Sequence, residues 1–133
     1  MNKEYQKGYI ALTSFLIISG VVLLVAVTSN LLGISESDMS VKSSNADKAF
    51  YLANLCAEEA LMSLKEDDSY TGNISINEGE GFCQILPVEG IGNNNRVVKT
   101  FGTVYNQVRR VKIEITQINP QMIINSWEEV TNF

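Results

Sequence analysis

The chain has 133 residues, a formal charge of −5 and no histidine. That leaves room for one domain of ordinary size, and it removes the commonest general base and the commonest metal ligand. The charge is unevenly placed: from Glu36 onward 14 Asp and Glu stand against 8 Lys and Arg, a net of −6, which is a poor balance for gripping the phosphates of a nucleic acid.

The first element is a short basic head, MNKEYQKG, followed by a run from Tyr9 to Ile34 without a single charge. A helix crosses a bilayer core in about 20 residues, so these 26 are enough. A secretory signal peptide has an apolar stretch of only about 7–15 residues before a small-residue cleavage site. This run is longer, and AVTSN imitates such a site poorly. Lys3 and Lys7 flank one side of the run, Glu36 and Asp38 the other. The positive-inside rule then places the N-terminus in the cytoplasm and everything after Ile34 outside, as a single-pass protein of the cytoplasmic membrane.

The next stretch, Ser35 to Glu66, contains neither proline nor glycine. Ala46, Ala49, Phe50, Ala53, Ala57, Ala60, Leu61 and Leu64 recur at three- and four-residue spacing and predict the apolar stripe of an amphipathic helix. Asp47, Lys48, Glu58, Glu59 and Lys65 fall on its other faces. The serine-rich part around Ser35–Ser44 has weak helix propensity and is expected to bend or fray.

Two motifs in this half of the chain carry a resemblance. Gln6-Lys7-Gly8 directly before an apolar helix that opens on Tyr9 resembles the leader of type IV prepilins and pseudopilins. In that family a membrane peptidase cuts after the glycine on the cytoplasmic side, and the apolar segment is kept as the start of the mature subunit. The resemblance implies cleavage at Lys7-Gly8-Tyr9 and N-methylation of Tyr9, which takes the place of the family's usual Phe. The segment KAFYLANLCAEEALMSL, with its core Leu55-Cys56-Ala57-Glu58-Glu59-Ala60-Leu61, is similar to minor pilins of the PilX type; together the motifs cover about residues 5–66. Major pilins carry a glutamate at the fifth mature position, paired with a neighbouring subunit's terminal amine. Here that position is Thr13, as in many minor pilins and tip-type pseudopilins. A lone carboxylate near the bilayer centre costs about 2.5–3.5 kcal/mol on insertion scales and persists only where a partner offsets it. Thr13 therefore has two readings: a subunit near the filament tip with no amine to neutralise, or a threonine satisfied by a carbonyl one turn back. The partners implied are other pilins or pseudopilins through the N-terminal helix, the prepilin peptidase and assembly machinery, and the cytoplasmic membrane.

Beyond Lys65 the period changes. DDSYTGN is a turn-rich break. Asn73-Ile74-Ser75 matches a glycosylation sequon but reads as part of that turn. Strand candidates follow at about 73–77, 82–89, 96–105, 108–118 and 121–127, with Val111, Ile113 and Ile115 alternating with Lys112, Glu114 and Thr116. Asn106-Gln107 is expected to connect the third and fourth, residues 90–95 (GIGNNN) to form the loop before the third, and Pro120 to bend the chain before the fifth. An antiparallel meander with one dry face needs a cover, and the alanine stripe supplies it. The fold expected is α+β and pilin-like: a long N-terminal helix packed on a sheet of about four strands. The divisions are 1–8 leader, 9–34 membrane and filament-core helix, 35–66 amphipathic helix and 67–133 β ectodomain.

Cys56 on the helix and Cys83 on a strand both lie outside the membrane by the topology argument, where disulfides persist. A bond between them would stabilise the fold by roughly 3–4 kcal/mol in the chain-entropy model; the alternative is two separate buried thiols. Glu58 and Glu59 point about 100° apart on a helix and do not converge on a substrate. Glu66-Asp67-Asp68 and Glu78-Gly79-Glu80 lack the alternating spacing of a calcium loop. Arg109, Arg110 and Lys112, joined by Arg96 and Lys99, are the only basic grouping, and Trp127 reads as the cap of the core. No catalytic, cofactor or metal motif is present, so an enzyme is not expected. The expectation is a minor pilin or pseudopilin, processed after Gly8 and assembled into a filament, with a place near its tip as one of the two readings of Thr13. The alternative is a single-pass anchored extracytoplasmic binding domain that does not assemble.

Overall fold

A computed structural model describes the backbone from Asn2 and the side chains from Gly8 to Phe133. One helix, α1 (Asn2–Glu66), precedes five strands: β1 (Ile74–Glu78), β2 (Gly81–Ile85), β3 (Asn94–Val104), β4 (Gln107–Gln117) and β5 (Ile123–Val130). The chain divides into two compact units, Met1–Val41 and Lys42–Phe133. The α-helical assignment runs through Ser35–Ser44 without a break, against the expected fraying.

In the second unit the strands form one antiparallel sheet in the order β1-β2-β3-β4-β5. The sheet has five strands rather than about four, because every candidate segment pairs and the short β1 takes one edge. Alternation decides which face is dry: Val98, Thr100 and Val104 on β3 and Val111, Ile113 and Ile115 on β4 are buried, while their sequence neighbours face the other way. The helix stretch from Ala46 to Leu64 covers that face with Ala46, Ala49, Leu52, Ala53, Cys56, Ala57, Ala60 and Leu64. Phe50, expected in the stripe, is instead 40 % exposed, and Leu52 and Cys56 take the inward positions. Small residues meet on both sides of this contact. A Cβ at Gly102 would lie 2.1 Å from the Ala49 carbonyl oxygen and 2.6 Å from the Ala53 nitrogen, so only glycine lets the helix backbone this close. The approach brings the Thr100 hydroxyl within 2.8 Å of the Ala53 carbonyl, to which it donates, so the one buried hydroxyl of β3 is satisfied by the helix.

Cys56 and Cys83 are joined by a disulfide, with Cα atoms 6.0 Å apart and both side chains fully buried. It ties α1 to β2 beside the Gly102 contact, since Cys83 pairs with Gly102. The β3–β4 turn is Tyr105-Asn106, one residue earlier than expected, and Gln107 already opens β4. β2 ends at Ile85 rather than near residue 89, and Glu89 makes only an isolated bridge to Val97. Asn94 and Asn95 belong to β3, which shortens the expected loop. The Asn119–Pro120 bend precedes β5 as expected.

Candidate functional site

The features singled out in the sequence fall into an apolar segment and a polar-surfaced domain, which are taken separately. The segment that follows Gly8 is one α-helix, long and apolar enough to span a membrane. Its large apolar side chains, from Tyr9 and Ile10 through Leu32 and Ile34, are all exposed, a surface that water tolerates poorly. Its serine and threonine hydroxyls are all turned inward on the backbone. Thr13 donates to the carbonyls of Tyr9 and Ile10 at 3.1 and 3.0 Å. Ser14, Ser19, Thr28 and Ser29 do the same one turn back, at 2.8 to 3.0 Å. Each is the self-satisfying bond that lets a hydroxyl sit in an apolar environment. Lys7, the basic residue of the cleavage motif, lies outside the described side chains; Gly8 and Tyr9 are exposed and helical.

The basic grouping expected on β3 and β4 assembles in part: Lys99 and Lys112 are direct cross-strand partners and Arg110 shares their face, while Arg109 and Arg96 lie on the other. Arg109 and Arg110 are consecutive on a strand and so project from opposite faces. Arg109 pairs with Glu129 at 2.7 Å, Lys112 with Glu114 at 2.7 Å, and Lys99 with Glu89. The Arg110 guanidinium donates to the Thr131 carbonyl at 3.2 Å. These bonds spend the positive charge inside the domain. The Lys112 pair shows in its titration: hydrogen bonding and charge from Glu114 push the Lys112 ammonium up, and the same partner holds the Glu114 carboxyl below the ordinary range.

Arg96 departs furthest from expectation. It is buried, 3 % exposed, on the helix-facing side of β3, and its partners are backbone carbonyls: Glu89 at 3.2 Å, Asp68 at 2.5 Å, Gly92 at 3.1 Å and Tyr70 at 2.8 Å. Four carbonyls supply the negative ends of peptide dipoles, which is how a guanidinium can be buried without a carboxylate. The side chain thereby fastens the α1–β1 connection and the β2–β3 connection to the start of β3. Sequence reasoning missed this role, and only the lone arginine at an inward position of an alternating strand hinted at it.

Trp127 is 41 % exposed. It sits across from buried Ile113 on β5, and its indole N–H donates to Asn54 Oδ1 at 3.0 Å, so it closes the side of the helix–sheet layer rather than capping the core. Asp67 accepts from the backbone N–H and hydroxyl of Ser69, at 2.9 and 2.6 Å. Those bonds lower its pKa and make it a turn residue. Glu58 and Glu59 are exposed on α1, and of Glu78-Gly79-Glu80 the first ends β1 while Gly79 and Glu80 make the β1–β2 turn. Among the described residues no group of three His, Cys, Asp or Glu is placed to hold a metal ion. Comparisons with family models, with curated proteins and with solved structures give no match.

Proposed function

We propose that this chain is a structural subunit of the type IV pilin-like kind, a minor pilin or pseudopilin. It is held in the cytoplasmic membrane with its N-terminus inside, cut after Gly8 and assembled into a filament through its apolar helix. The observation that carries the proposal is the join at Gly8. A lysine-glycine pair opens directly onto an uncharged helix from Tyr9 to Ile34 whose large apolar side chains are all exposed. The same helical assignment continues to Glu66, where its alanine face covers an antiparallel sheet. An anchor alone requires the apolar run but not a cleavable head before it. In the membrane the run faces lipid; in a filament it faces the equivalent helices of other subunits, an exchange of one dry environment for another. Thr13 stands where major pilins carry a glutamate, which supports a minor rather than a major subunit. The partners are other pilin-like subunits, the prepilin peptidase and the assembly machinery.

The test is the mature N-terminus. Mass spectrometry of the protein from its native membrane is expected to find Tyr9 first, carrying an N-methyl group. An intact Met1 would refute processing and leave the single-pass anchored domain that never assembles.

A further inference from the structure

Asn73-Ile74-Ser75 is the single Asn-x-Ser/Thr triplet in the chain. It begins in the α1–β1 connection and runs into β1, which forms one edge of the sheet. The connection is held in place up to the residue before Asn73. Arg96 binds the Asp68 and Tyr70 carbonyls, and the Val88 N–H donates to the Thr71 carbonyl at 2.9 Å. A Cβ on Gly72 would lie 2.5 Å from the Leu86 carbonyl oxygen.

Asn73 then turns the chain into β1 with φ of 63°. Its side chain is exposed, and within the described residues its carboxamide has no hydrogen-bond partner. The amides of Asn54, Asn93 and Asn125, by contrast, donate to Phe50, Asn119 and Glu114. A left-handed position is served by glycine at least as well, so the backbone alone does not call for this residue. What asparagine adds there is a free amide at the surface. Ser75, two residues on, is exposed as well. Its hydroxyl reaches the Cys83 carbonyl at 3.4 Å, beyond the usual range for such a bond.

The edge gives the site a use. One side of β1 pairs with β2 and the other is open. An open edge is a template for a foreign strand unless a bulge, a lysine, a proline or a cover blunts it. The opposite edge, β5, has register shifts against β4 and carries Glu128 and Glu129. The sequence of β1, ISINE, has no lysine or proline, its register is unbroken, and Ile74 is 46 % exposed.

We propose that Asn73 is N-glycosylated, and that the glycan shields the β1 edge. The donor is a sugar carried on a polyprenyl diphosphate. The Asn73 Nδ2 forms a bond to the anomeric carbon, and the bond from that carbon to the diphosphate oxygen breaks. The electron pair leaves with the diphosphate, and the amide proton passes to a base of the transferase. The Ser75 hydroxyl is the second element the transferase reads. Ser75 is paired with Gln84 in the folded sheet, so transfer precedes closure of the β1–β2 hairpin. The exposed position of Asn73 then leaves the finished glycan in water, as a bulky hydrated group beside Ile74. This inference rests on the outside placement of the sheet domain under the proposed function, and not on cleavage or assembly.

The experiment is mass spectrometry of the full chain from its native membrane, digested with trypsin after reduction of the Cys56–Cys83 bond. The peptide holding Asn73 runs from Glu66 to Arg96. It is expected to carry at least one added sugar in most copies, with fragment ions placing it on Asn73. Asn73→Gln and Ser75→Ala are each expected to remove the added mass, and Ser75→Thr, which keeps the hydroxyl, to retain it. A bare peptide in the native protein would overturn the proposal. So would a sugar located on Ser69 or Ser75, or one on Asn73 that survives Ser75→Ala. Mature Tyr9 with a bare Asn73 removes this site and leaves the filament reading; a glycosylated Asn73 with Met1 intact does the reverse.

Discussion

Replacing Arg96 by methionine removes a guanidinium and leaves four carbonyl oxygens without their donor. The side chain is 3 % exposed, so methionine of similar length fills much of the space and the loss is mainly of hydrogen bonds. Each carbonyl bonded to a charged donor is worth about 1.5–3 kcal/mol, and an acceptor left buried and unsatisfied costs about 1–3 kcal/mol. Simple addition over four bonds overshoots, because Glu89 and Gly92 lie in a surface loop that water can reach once it loosens. The acceptors left behind are neutral, so the total stays well below that sum, and about 3 kcal/mol is expected here. Against the 5–15 kcal/mol typical of a folded domain that is a large fraction, and it corresponds to a fall in Tm of about 12–24 °C for a domain of this size. The measurement is urea unfolding of the full-length chain in detergent, followed by fluorescence of the single tryptophan, Trp127. That residue lies on β5 and reports the sheet domain. Arg96→Lys keeps the charge but not the planar fork that serves several carbonyls at once, and is expected to recover less than half of the loss. An Arg96→Met midpoint that translates to less than 1 kcal/mol would refute the account of Arg96 as the fastening of both loops.

The Cys56→Ala, Cys83→Ala pair is expected to lose about 3.5 kcal/mol, from a sequence separation of 27 residues in the chain-entropy model; the same urea titration reads it, with loss below 1 kcal/mol refuting it. Gly102→Ala is expected to cost about 1–3 kcal/mol by overpacking, because the added Cβ meets helix backbone at 2.1 and 2.6 Å rather than a movable side chain; an unchanged midpoint would show that the helix does not approach so closely. The Lys112–Glu114 pair predicts a pH dependence of definite sign. Glu114 has its pKa lowered from 4.5, so its contribution is present above that value and is lost as pH falls through the lower folded value. Lys112 has its pKa raised from 10.5, so its contribution is present below that value and is lost as pH rises through the higher folded value. Both side chains are about a third exposed, and the effect is expected to be small and abolished by 1 M salt. Lys112→Met should flatten both arms of a stability–pH curve at low salt and change neither at high salt.

Most of the fold was legible because it is written in periods. Val111, Ile113 and Ile115 alternate with polar neighbours, since one face of β4 is dry, and the alanines of α1 recur every three or four residues for the same reason. Where the readings failed, spacing or polarity stood in for position. The spacing that puts Phe50 in the stripe admits it only at the margin, and the row Ala49, Leu52, Ala53, Cys56, Ala57, Ala60 and Leu64 already fills the buried side without it. A charged residue is ordinarily exposed, which is why the sequence sets Arg96 beside the surface cations. Its carbonyl partners come from residues 68, 70, 89 and 92, and backbone groups leave no mark in a sequence. The turn residue Tyr105, at φ 50°, shifted the β3–β4 connection by one position, since the left-handed place there is held by neither glycine nor asparagine. Among the site residues, Cys56 and Cys83 could be paired from compartment chemistry and were found joined.

The hydroxyls of the apolar helix bear on how one segment could serve in two surroundings. A side chain that completes its own hydrogen bond is indifferent to whether its neighbour is a lipid tail or another helix. Thr13, Ser14, Ser19, Thr28 and Ser29 all do so, through carbonyls three or four residues back. A glutamate at position 13 would differ in kind. Its carboxylate has no comparable bond to make within the helix, and its cost in lipid, smaller than the about 2.5–3.5 kcal/mol of a mid-bilayer charge because position 13 lies near the end of the run, calls for a cation from another chain. Such a residue biases the subunit toward neighbours on its N-terminal side. Thr13 carries no such bias, so under the proposed function this helix packs by shape and apolar surface alone, and what fixes the chain's place among its neighbours must lie in the sheet domain.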